Sequence, residues 1–460
     1  MLTGISMQAH PTQEQKMTLS QWMGCARFIW NAKCEEDHYL TSFAKRYLPI
    51  GTFPKIDQTF AQYKHSILSP WLSDCPSQIL RNSAVNWYKT YRSFLKGLCG
   101  KPKRKRKSNV QSVHLTKELF RFEKCLDGVT RLFIGTKKNN IGYLSFKSHG
   151  SFQEPNSIYI KKVNGKYLVS FCYEDGIDEA DVPNLEDHFS YVKDSTREEL
   201  EAITIGIDRG VIIPVQAGND AFDFSEEQKR KKRVKEKYLK RCQKMLSRRK
   251  KGSKRRQKIK HKLSKAHEKI SNIRKDFCHK TSRKIVDKEE TKIIVLEDLK
   301  TSQMTKKPKP QKDKVTGKWK SNRRKSKAGL NRSILDKGWH RLEIFIKYKA
   351  YRAGKAVFKV PAHHTSQECA DCGHTHPNNR KRQDKFLCES CGHTDHADHN
   401  AAEVIKKRAI NLILDSGTEL SKNGVLLDSG RGAASKTRGA NANRARGCEA
   451  SKKKGMAEAA

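Results

Sequence analysis

The sequence of 460 residues predicts a multidomain α/β protein, because its hydrophobic pattern changes twice along the chain. Apolar residues recur at the helical period up to about residue 110 and at every second position from about 118 to 195. Beyond residue 200, two short apolar β-type runs flank a long, very basic helical segment. We therefore expect a helical part, a β-rich part and an α/β part, which fits a chain long enough for roughly three domains.

The charge balance indicates the class of partner. Lys and Arg number 95 against 49 Asp and Glu, which gives a net charge of +46. Such an excess repels itself unless a polyanion neutralises it, so nucleic acid or an anionic membrane is expected. The sequence has no apolar run of about 18 residues and no signal-peptide pattern, which argues against a transmembrane or secreted protein. We expect a bacterial cytoplasmic, nucleoid-associated protein, or a nuclear one if the host is eukaryotic.

Two segments of the first half have clear local signals. In residues 79–95, Ile, Leu, Trp, Tyr and Phe recur near the helical period and predict a buried stripe. The basic run Lys101–Lys107 then breaks the pattern, and it is interpreted as a phosphate-contacting loop, with a nuclear-localisation signal as the alternative. In the β-rich part, Asn164-Gly165 between two alternating runs predicts a hairpin turn.

The second half contains a predicted helical hairpin between two strand-like runs, at 203–217 and 291–297. Apolar residues in each helix repeat at steps of four and three, which predicts two facing seams, and the outer faces are cationic. Those faces are either solvated or a clamp on a nucleic-acid backbone; the total charge favours the clamp. Residues 304–328 are expected to be a mobile basic loop. The segment beyond about 413 lacks Phe, Trp and Tyr and is expected to be disordered.

Four of the thirteen cysteines form two C-x2-C pairs, Cys369/Cys372 and Cys388/Cys391, separated by 15 residues. Four thiolates at this spacing can surround one Zn²⁺ ion tetrahedrally, and the glycine after each pair lets the backbone turn. The alternatives are two disulfides or a redox pair. Because a four-Cys site has no open position, we expect one structural zinc ion. His374, His376 or His393 could replace a cysteine ligand, but we do not expect it.

Three carboxylates stand out from their surroundings as candidate catalytic residues. Asp208 and Glu297 each end a strand-like run, and Asp398 precedes a helix start. Such residues can converge on one site, and hydrolysis of a phosphodiester by two Mg²⁺ ions requires a carboxylate cluster of this kind. Taken singly, they could be a turn residue, a surface acid and a helix N-cap. Asp395 and Asp298 are the neighbouring alternatives, although Asp298 should point away from Glu297 on an extended segment.

The combined pattern resembles the transposon-encoded TnpB (OrfB) family, which is related to the type V CRISPR effectors. The stretch Pro11–Asn31 resembles the opening of the family, and Gly206-Ile-Asp208-Arg-Gly and Val295-Leu-Glu297-Asp-Leu resemble its first two RuvC motifs. Lys327–Asp336 is similar to the segment before the next helix of the nuclease core. The most specific match is the block from Val360-Pro through both cysteine pairs to Ala397-Asp398-His-Asn-Ala-Ala402. Val404, where the family often has Asn, and the tail after 413 depart from the family pattern.

The resemblance implies an RNase H-like RuvC nuclease core with an inserted helical hairpin and a zinc ribbon. It also implies a preceding wedge β-barrel that a helical recognition domain interrupts. The implied boundaries are 1–20 and 118–195 for the wedge, 21–117 for the recognition domain, 196–365 and 395–412 for the nuclease, 222–287 for the hairpin, 366–394 for the zinc ribbon and 413–460 for a disordered tail. Asp208, Glu297 and Asp398 are implied to be the Mg²⁺ ligands.

The implied activity is RNA-guided DNA cleavage, in which a transposon-derived RNA pairs with double-stranded DNA and the protein reads a short flanking motif. One alternative is a transposase that performs strand transfer itself. A relaxase-type enzyme needs a His-hydrophobic-His pair and a nucleophilic Tyr, whereas His374-Thr-His376 has a polar centre. The other alternative is a nuclease-inactive nucleic-acid-binding regulator, against which the three intact acids argue.

Overall fold

The computed structural model divides the chain into two compact units. The first consists of Met1–Glu179 with Arg248–Lys265, and the second of Ala180–Ser247 with Ala266–Ala460. The structure describes residues 1–47, 56–107, 110–124, 130–148, 152–178, 182–313, 316–319 and 321–428. Cys125, Cys448 and the tail from residue 429 lie outside these ranges. Among the described residues, no helix is both long and apolar enough to cross a bilayer.

The first unit combines helices with two antiparallel sheets. Its helices are α1 (Gln13–Tyr39), α2 (Lys45–Tyr47) and α3 (Ser77–Leu95). Its strands are β1 (Leu2–Ala9), β2 (Val110–Thr116), β3 (Phe120–Lys124), β4 (Thr130–Gly135), β5 (Asn140–Ser145), β6 (Ser157–Val163) and β7 (Lys166–Glu174). One sheet has the order β1-β7-β6-β2 and the other β3-β4-β5. The first strand of the chain therefore pairs with the last strand of this unit.

Local sequence signals account for several of these elements. Thr12 and Gln15 form a reciprocal capping box that starts α1. Asn164 and Gly165, with φ angles of 51° and 89°, form the predicted turn between β6 and β7. On α3, the predicted stripe is buried at Ile79, Leu80 and Trp87. The hairpin prediction and the predicted helix at α3 are confirmed, whereas residues 2–9, expected to be in the helical part, form strand β1.

The basic run Lys101–Lys107 packs on α1. The indole Nε1 of Trp30 donates to the carbonyl of Lys103 at 3.0 Å, and the backbone N–H of Lys105 donates to Oδ1 of Asn31 at 2.7 Å. The Lys105 ammonium lies 3.4 Å from the centre of the Trp30 ring. Burial lowers the pKa of Lys105 to about 8. The segment is thus anchored, and its contact with phosphates stays a prediction.

The second unit is built around one mixed sheet. Its helices are α4 (Leu185–Lys193), α5 (Arg197–Ile203), α6 (Glu226–Ser247), α7 (Lys254–Val286, which begins in the first unit), α8 (Thr301–Met304), α9 (Arg324–Lys337), α10 (Trp339–Arg352) and α11 (Ala397–Leu414). Its strands are β8 (Thr204–Asp208), β9 (Val215–Ala217), β10 (Asp220–Phe222), β11 (Ile293–Glu297), β12 (Ala356–Val360), β13 (Lys385–Leu387), β14 (Thr394–His396), β15 (Thr418–Leu420) and β16 (Leu426–Asp428). The central sheet has the order β10-β9-β8-β11-β12. Strands β8, β11 and β12 are parallel, and β9 is antiparallel to β8 and β10.

Both faces of this sheet are covered, which explains why its central strands appear in the sequence as continuous apolar runs. In β11, Ile294 and Leu296 face a core shared with α7 and α10. Ile293 and Val295 face the opposite core, shared with α4, α5 and α11. The predicted strands at 203–217 and 291–297 are therefore confirmed as part of one buried sheet.

The predicted basic hairpin corresponds to α6 and α7. Gln228 near the start of α6 donates to Asp276 near the end of α7 at 2.9 Å, as in an antiparallel pair. Four of the predicted seam positions on α7 are buried, namely Ile259, Ala266, Ile270 and Phe277. The matching seam on α6 is wrong in its first half, because Val234 and Tyr238 are 56% and 39% exposed. The helical spacing of Val234 and Tyr238 did not show whether another helix packs against them.

One predicted domain boundary differs from the structure. Residues 185–193, which were expected to continue the β-rich wedge to 195, form α4, a helix of the second unit. Asn184 caps this helix, and Phe189 and Val192 lie three residues apart on its buried face. Phe189 contacts Phe358 of β12 with ring centres 6.0 Å apart. The spacing of buried apolar residues therefore changes from two to three already at α4, before residue 195.

The expectation of disorder from residue 413 onwards is wrong for its first part. Helix α11 extends to Leu414, and β15 and β16 pair as a hairpin. Leu426 is fully buried in the core beside α11, and the backbone N–H of Lys359 donates to the carbonyl of Gly424 at 2.7 Å. Aliphatic residues supply this contact without any aromatic anchor, which is why the composition did not reveal it.

Candidate active site and metal centre

Asp208 and Glu297 leave the central sheet at the same edge. Strands β8 and β11 are parallel and pair Ile207 with Leu296, so the next residue of each strand is one of the two acids. The apolar residues that precede both acids fix the strands in the core. The carboxyl ends of adjacent parallel strands are the usual place for a ligand site in such sheets. The structure thus brings together two of the three predicted acids.

Helix α11 carries the third acid to the same edge. His396 caps the helix and accepts a hydrogen bond from the backbone N–H of Asp398 at 3.3 Å, so that Asp398 lies in the first helical turn. The helix packs directly on β8: a Cβ atom at Gly206 would lie only 2.1 Å from the carbonyl oxygen of Ala402. A Cβ atom at Gly210 would lie 3.7 Å from Oδ2 of Asp398. Only glycine at 206 permits this close approach.

Burial and mutual repulsion dominate the electrostatics of Asp208 and Glu297, although nearby arginines partly offset both. Burial, followed by the nearby charges of Glu297 and Asp398, raises the pKa of Asp208 to about 7. Burial also raises the pKa of Glu297, although Thr365, Arg209 and Arg408 oppose the shift. Carboxylates that repel one another in a desolvated site are stabilised by a bound cation. Their hard oxygen donors fit Mg²⁺.

Two polar contacts hold the acids in place, and sequence reasoning missed both. The Thr365 hydroxyl donates to Oε1 of Glu297 at 2.6 Å. Arg380 donates to Oδ1 of Asp398 at 2.9 Å and forms an ion pair with it. Arg380 lies in a short 3₁₀ segment between the two cysteine pairs, within a run of basic residues that gave it no distinguishing signal.

The two neighbouring acids have other contacts. Oδ2 of Asp395 lies 2.5 Å from Nδ1 of His399. Oδ1 of Asp298 lies 3.6 Å from Nζ of Lys359. The main causes of the raised pKa of Asp208 are burial and the charges of Glu297 and Asp398. The geometry therefore favours the original three acids over these alternatives.

The four predicted cysteines form a cluster that could hold a metal ion such as zinc. Their Sγ atoms all lie within 4.8 Å of one another, with 3.7 Å between Cys369 and Cys391 and 3.6 Å between Cys372 and Cys388. Four sulfurs about 2.3 Å from one tetrahedral zinc ion have about this mutual separation. In the part of the chain that the structure describes, this is the only group of three or more Cys, His, Asp or Glu ligand atoms that are so close.

The surroundings of the cluster agree with a closed four-sulfur site. Gly373 and Gly392 have φ angles of 71° and 76°, as expected for the turn after each pair. The histidines are not part of the cluster. Nδ1 of His376 lies 2.8 Å from Glu389, and Nδ1 of His393 lies 2.8 Å from Asp371. The four sulfurs could therefore hold a metal ion without a histidine ligand.

Three family models match separate parts of the chain. A model described as "Helix-turn-helix domain" of the OrfB type matches residues 1–34, and an OrfB model described as "Probable transposase" matches residues 188–307. A model described as "Cas12f1-like, TNB domain" matches residues 339–405. The second match includes Asp208 and Glu297, and the third includes the four cysteines and Asp398.

The chain is also similar to named proteins along most of its length. It is 28% identical over 413 residues to InsQ of Escherichia coli (strain K12), which is named as an RNA-guided DNA endonuclease; the match covers 88% of this chain and 91% of InsQ. It is 33% identical over 150 residues to the CRISPR-associated endodeoxyribonuclease Cas12f1 of Sulfoacidibacillus thermotolerans, or 32% of this chain and 30% of that protein. The solved Cas12f1–sgRNA–target DNA complex has a TM-score of 0.50 at 16% identity and covers 86% of this chain and 83% of that one. This likeness establishes a shared overall fold.

Proposed function

Because the chain belongs to the TnpB (OrfB) family, we propose that it is an RNA-guided DNA endonuclease of a transposable element. The observation that carries this proposal is the convergence of Asp208, Glu297 and Asp398 at one edge of a buried sheet. The relatives that match most of the chain are named RNA-guided DNA endonucleases. Strand transfer by a relaxase-type mechanism is not favoured, since His376 is engaged with Glu389 beside the cysteine cluster.

The proposed reaction is hydrolysis of a DNA phosphodiester at a RuvC-like centre. Asp208, Glu297 and Asp398 would hold two Mg²⁺ ions, which when bound activate the attacking water and stabilise the leaving oxygen. The protein's own part is to hold the three acids at one edge of the sheet in a desolvated site. Thr365 orients Glu297, and Arg380 orients Asp398 and offsets its charge. The strand order β10-β9-β8-β11-β12 supports an RNase H-like core.

The remaining parts take supporting roles in this proposal. The four-cysteine cluster would hold one structural zinc ion in a ribbon at 366–394, from which Arg380 reaches Asp398. The β-rich and helical parts of the first unit would be the wedge and recognition domains. The guide would be an RNA from the transposon end, paired with double-stranded DNA beside a short flanking motif. The bacterial cytoplasm, in association with the nucleoid, is the proposed location.

The test is cleavage by the full-length protein, purified with its RNA, of a DNA duplex that matches the guide. We expect Asp208→Ala to abolish cleavage, a loss of at least ~10³-fold, because the Mg²⁺ site loses a ligand. Binding of the RNA should not change. The exposed acid Asp194 provides the matched control, and Asp194→Ala should cleave like the wild type. Unimpaired cleavage by Asp208→Ala would remove this site from the proposal.

A further inference from the structure

A buried ion-pair network lies directly behind the edge of the sheet that carries Asp208 and Glu297. The residue after Asp208 is Arg209, whose side chain is only 1% exposed. Its NH1 group donates to Oε2 of Glu343 at 3.1 Å, and its NH2 group donates to the main-chain carbonyl of Glu297. One guanidinium group therefore contacts the ends of both strands that carry the acids and an acid of helix α10.

Glu343 connects this guanidinium to the third parallel strand. Its Oε1 atom lies 2.5 Å from Nζ of Lys359, a buried residue of β12 that pairs with Leu296 of β11. Burial alone would raise the pKa of Glu343, but Lys359 and Arg209 more than offset it, so the pKa is lowered. Glu343 is therefore an ionised carboxylate that joins β8, β11 and β12 to α10.

The energetics make Glu343 hard to replace. Removal of one partner from a buried ion pair leaves the other charge uncompensated, which is strongly destabilising unless the charge moves or water enters. Among the described residues, Nε of Arg209 has no hydrogen-bond acceptor. The guanidinium is thus held by Glu343 and the Glu297 carbonyl, and without Glu343 it would retain only the carbonyl contact.

We propose that Glu343 is a positioning residue of the nuclease centre, which acts through Arg209 to fix the separation of the Asp208 and Glu297 carboxylates. This inference depends on the proposed function, because it assumes that these acids hold Mg²⁺. Mg²⁺ demands near-ideal octahedral geometry, and ligands displaced by about 0.5 Å already weaken a designed site. Glu343 therefore controls the affinity of the centre for a divalent cation without touching the cation.

The direct experiment measures cation binding without relying on cleavage. Full-length, zinc-loaded protein without RNA is titrated with Mn²⁺, and free Mn²⁺ is followed by electron paramagnetic resonance. We expect Glu343→Leu to raise the Kd of the centre for Mn²⁺ by about 10-fold or more. Glu343→Gln should have a smaller effect, because its amide oxygen can still accept a hydrogen bond from Arg209. The exposed acid Glu290 is the matched control, and Glu290→Gln should bind Mn²⁺ like the wild type.

A second measurement separates positioning from a loss of overall stability. In the RNA-bound protein, Glu343→Gln should raise the Mg²⁺ concentration that gives half-maximal cleavage, and saturating Mg²⁺ should restore much of the rate. If both Glu343 variants only lower the melting temperature, and Mn²⁺ binding and the Mg²⁺ requirement are those of the wild type, the positioning role is wrong. If instead Asp208→Ala itself retains wild-type Mn²⁺ affinity and cleavage, the proposed nuclease centre is wrong, whatever the Glu343 variants show.

Discussion

At the residue scale, the main feature is Asp208, an acid that the fold places where its ionised form is unfavourable. Asp208 is surrounded by a buried sheet and two further acids, and its pKa rises from the usual value of 3.8 to about 7. The folded protein therefore retains a proton that the unfolded chain releases between these two pH values. A residue whose charge destabilises the fold in this way is typical of a site selected for binding or catalysis.

We predict a pH-dependent gain in stability for Asp208→Asn in Mg²⁺-free buffer. Because the pKa is raised in the folded protein, Asp208 does not lower the free energy of unfolding below about pH 4. The loss of stability grows as the pH rises and is complete above about pH 7. The variant should therefore be more stable than the wild type by a margin that is larger at pH 8 than at pH 5, by on the order of 2 kcal/mol. Urea unfolding at both pH values measures this difference.

The control for that comparison is the exposed Asp194, for which Asp194→Asn should give the same small effect at both pH values. Addition of Mg²⁺ should stabilise the wild type at pH 8 and have little effect on Asp208→Asn. A margin for Asp208→Asn that is equal at pH 5 and pH 8 would mean that the Asp208 pKa is not raised in the folded protein.

At the element scale, the site depends on the contact between β8 and α11. Gly206 lies opposite Ala402, one helical turn after Asp398, and the helix backbone lies where a side chain would be. The helix position and the position of the third acid are therefore set by the same contact. Glycine is needed here for space, since its φ angle is not in the left-handed region.

We predict that Gly206→Ala weakens cleavage strongly, by ~10²-fold, because α11 must move by about 1 Å to accommodate the methyl group. Stability should fall by about 1–3 kcal/mol, as is usual for overpacking. Gly329→Ala in α9 is the matched control: apart from its chain neighbours and the backbone of its own helix, no atom lies within 4 Å of its Cβ position, so stability should not fall. Cleavage rates and melting temperatures of both variants decide the matter. A wild-type rate for Gly206→Ala would show that the contact does not position Asp398.

The strands and the cysteine pairs were the parts of the site that the sequence could predict. Asp208 and Glu297 were predictable because each follows a continuous apolar run, and parallel strands end at one edge. The cysteine spacing likewise predicted the cluster. Arg380, Thr365 and Glu343 were not predictable, because their roles come from tertiary contacts 18, 68 and 134 residues away in sequence and no local pattern marks them.

At the scale of the whole molecule, the sequence predicted the order of the helical, β-rich and α/β parts better than it predicted their boundaries. Helices, then paired strands, then an α/β sheet follow as expected after residues 2–9, which form strand β1 instead of helix. In addition, α4 belongs to the second unit, and the hairpin β15–β16 extends the ordered chain past 413. The errors at α4 and at β15–β16 arise where a few apolar residues, such as Phe189 and Leu426, are buried by distant parts of the chain. Composition averaged over a segment cannot report such contacts.

The net charge of +46 should make the whole protein bind RNA both specifically and non-specifically. Non-specific contacts with phosphates release counterions, and an interaction with 6–10 such contacts loses about 10³–10⁵ in affinity between 50 and 200 mM salt. A guide held by a shaped site as well as by charge should survive. We expect that protein expressed from its native locus and washed at high salt retains one dominant RNA.

Sequencing of that RNA is the measurement. The expected product has a fixed scaffold and a segment that matches DNA beside the element, and an unrelated transcript of equal length, added as a competitor, should be removed by the same wash. A heterogeneous mixture that disappears with rising salt would mean that the charge binds RNA without selection. In that case Asp208, Glu297 and Asp398 could still form a nuclease centre, but its target would have to be chosen by something other than a bound guide.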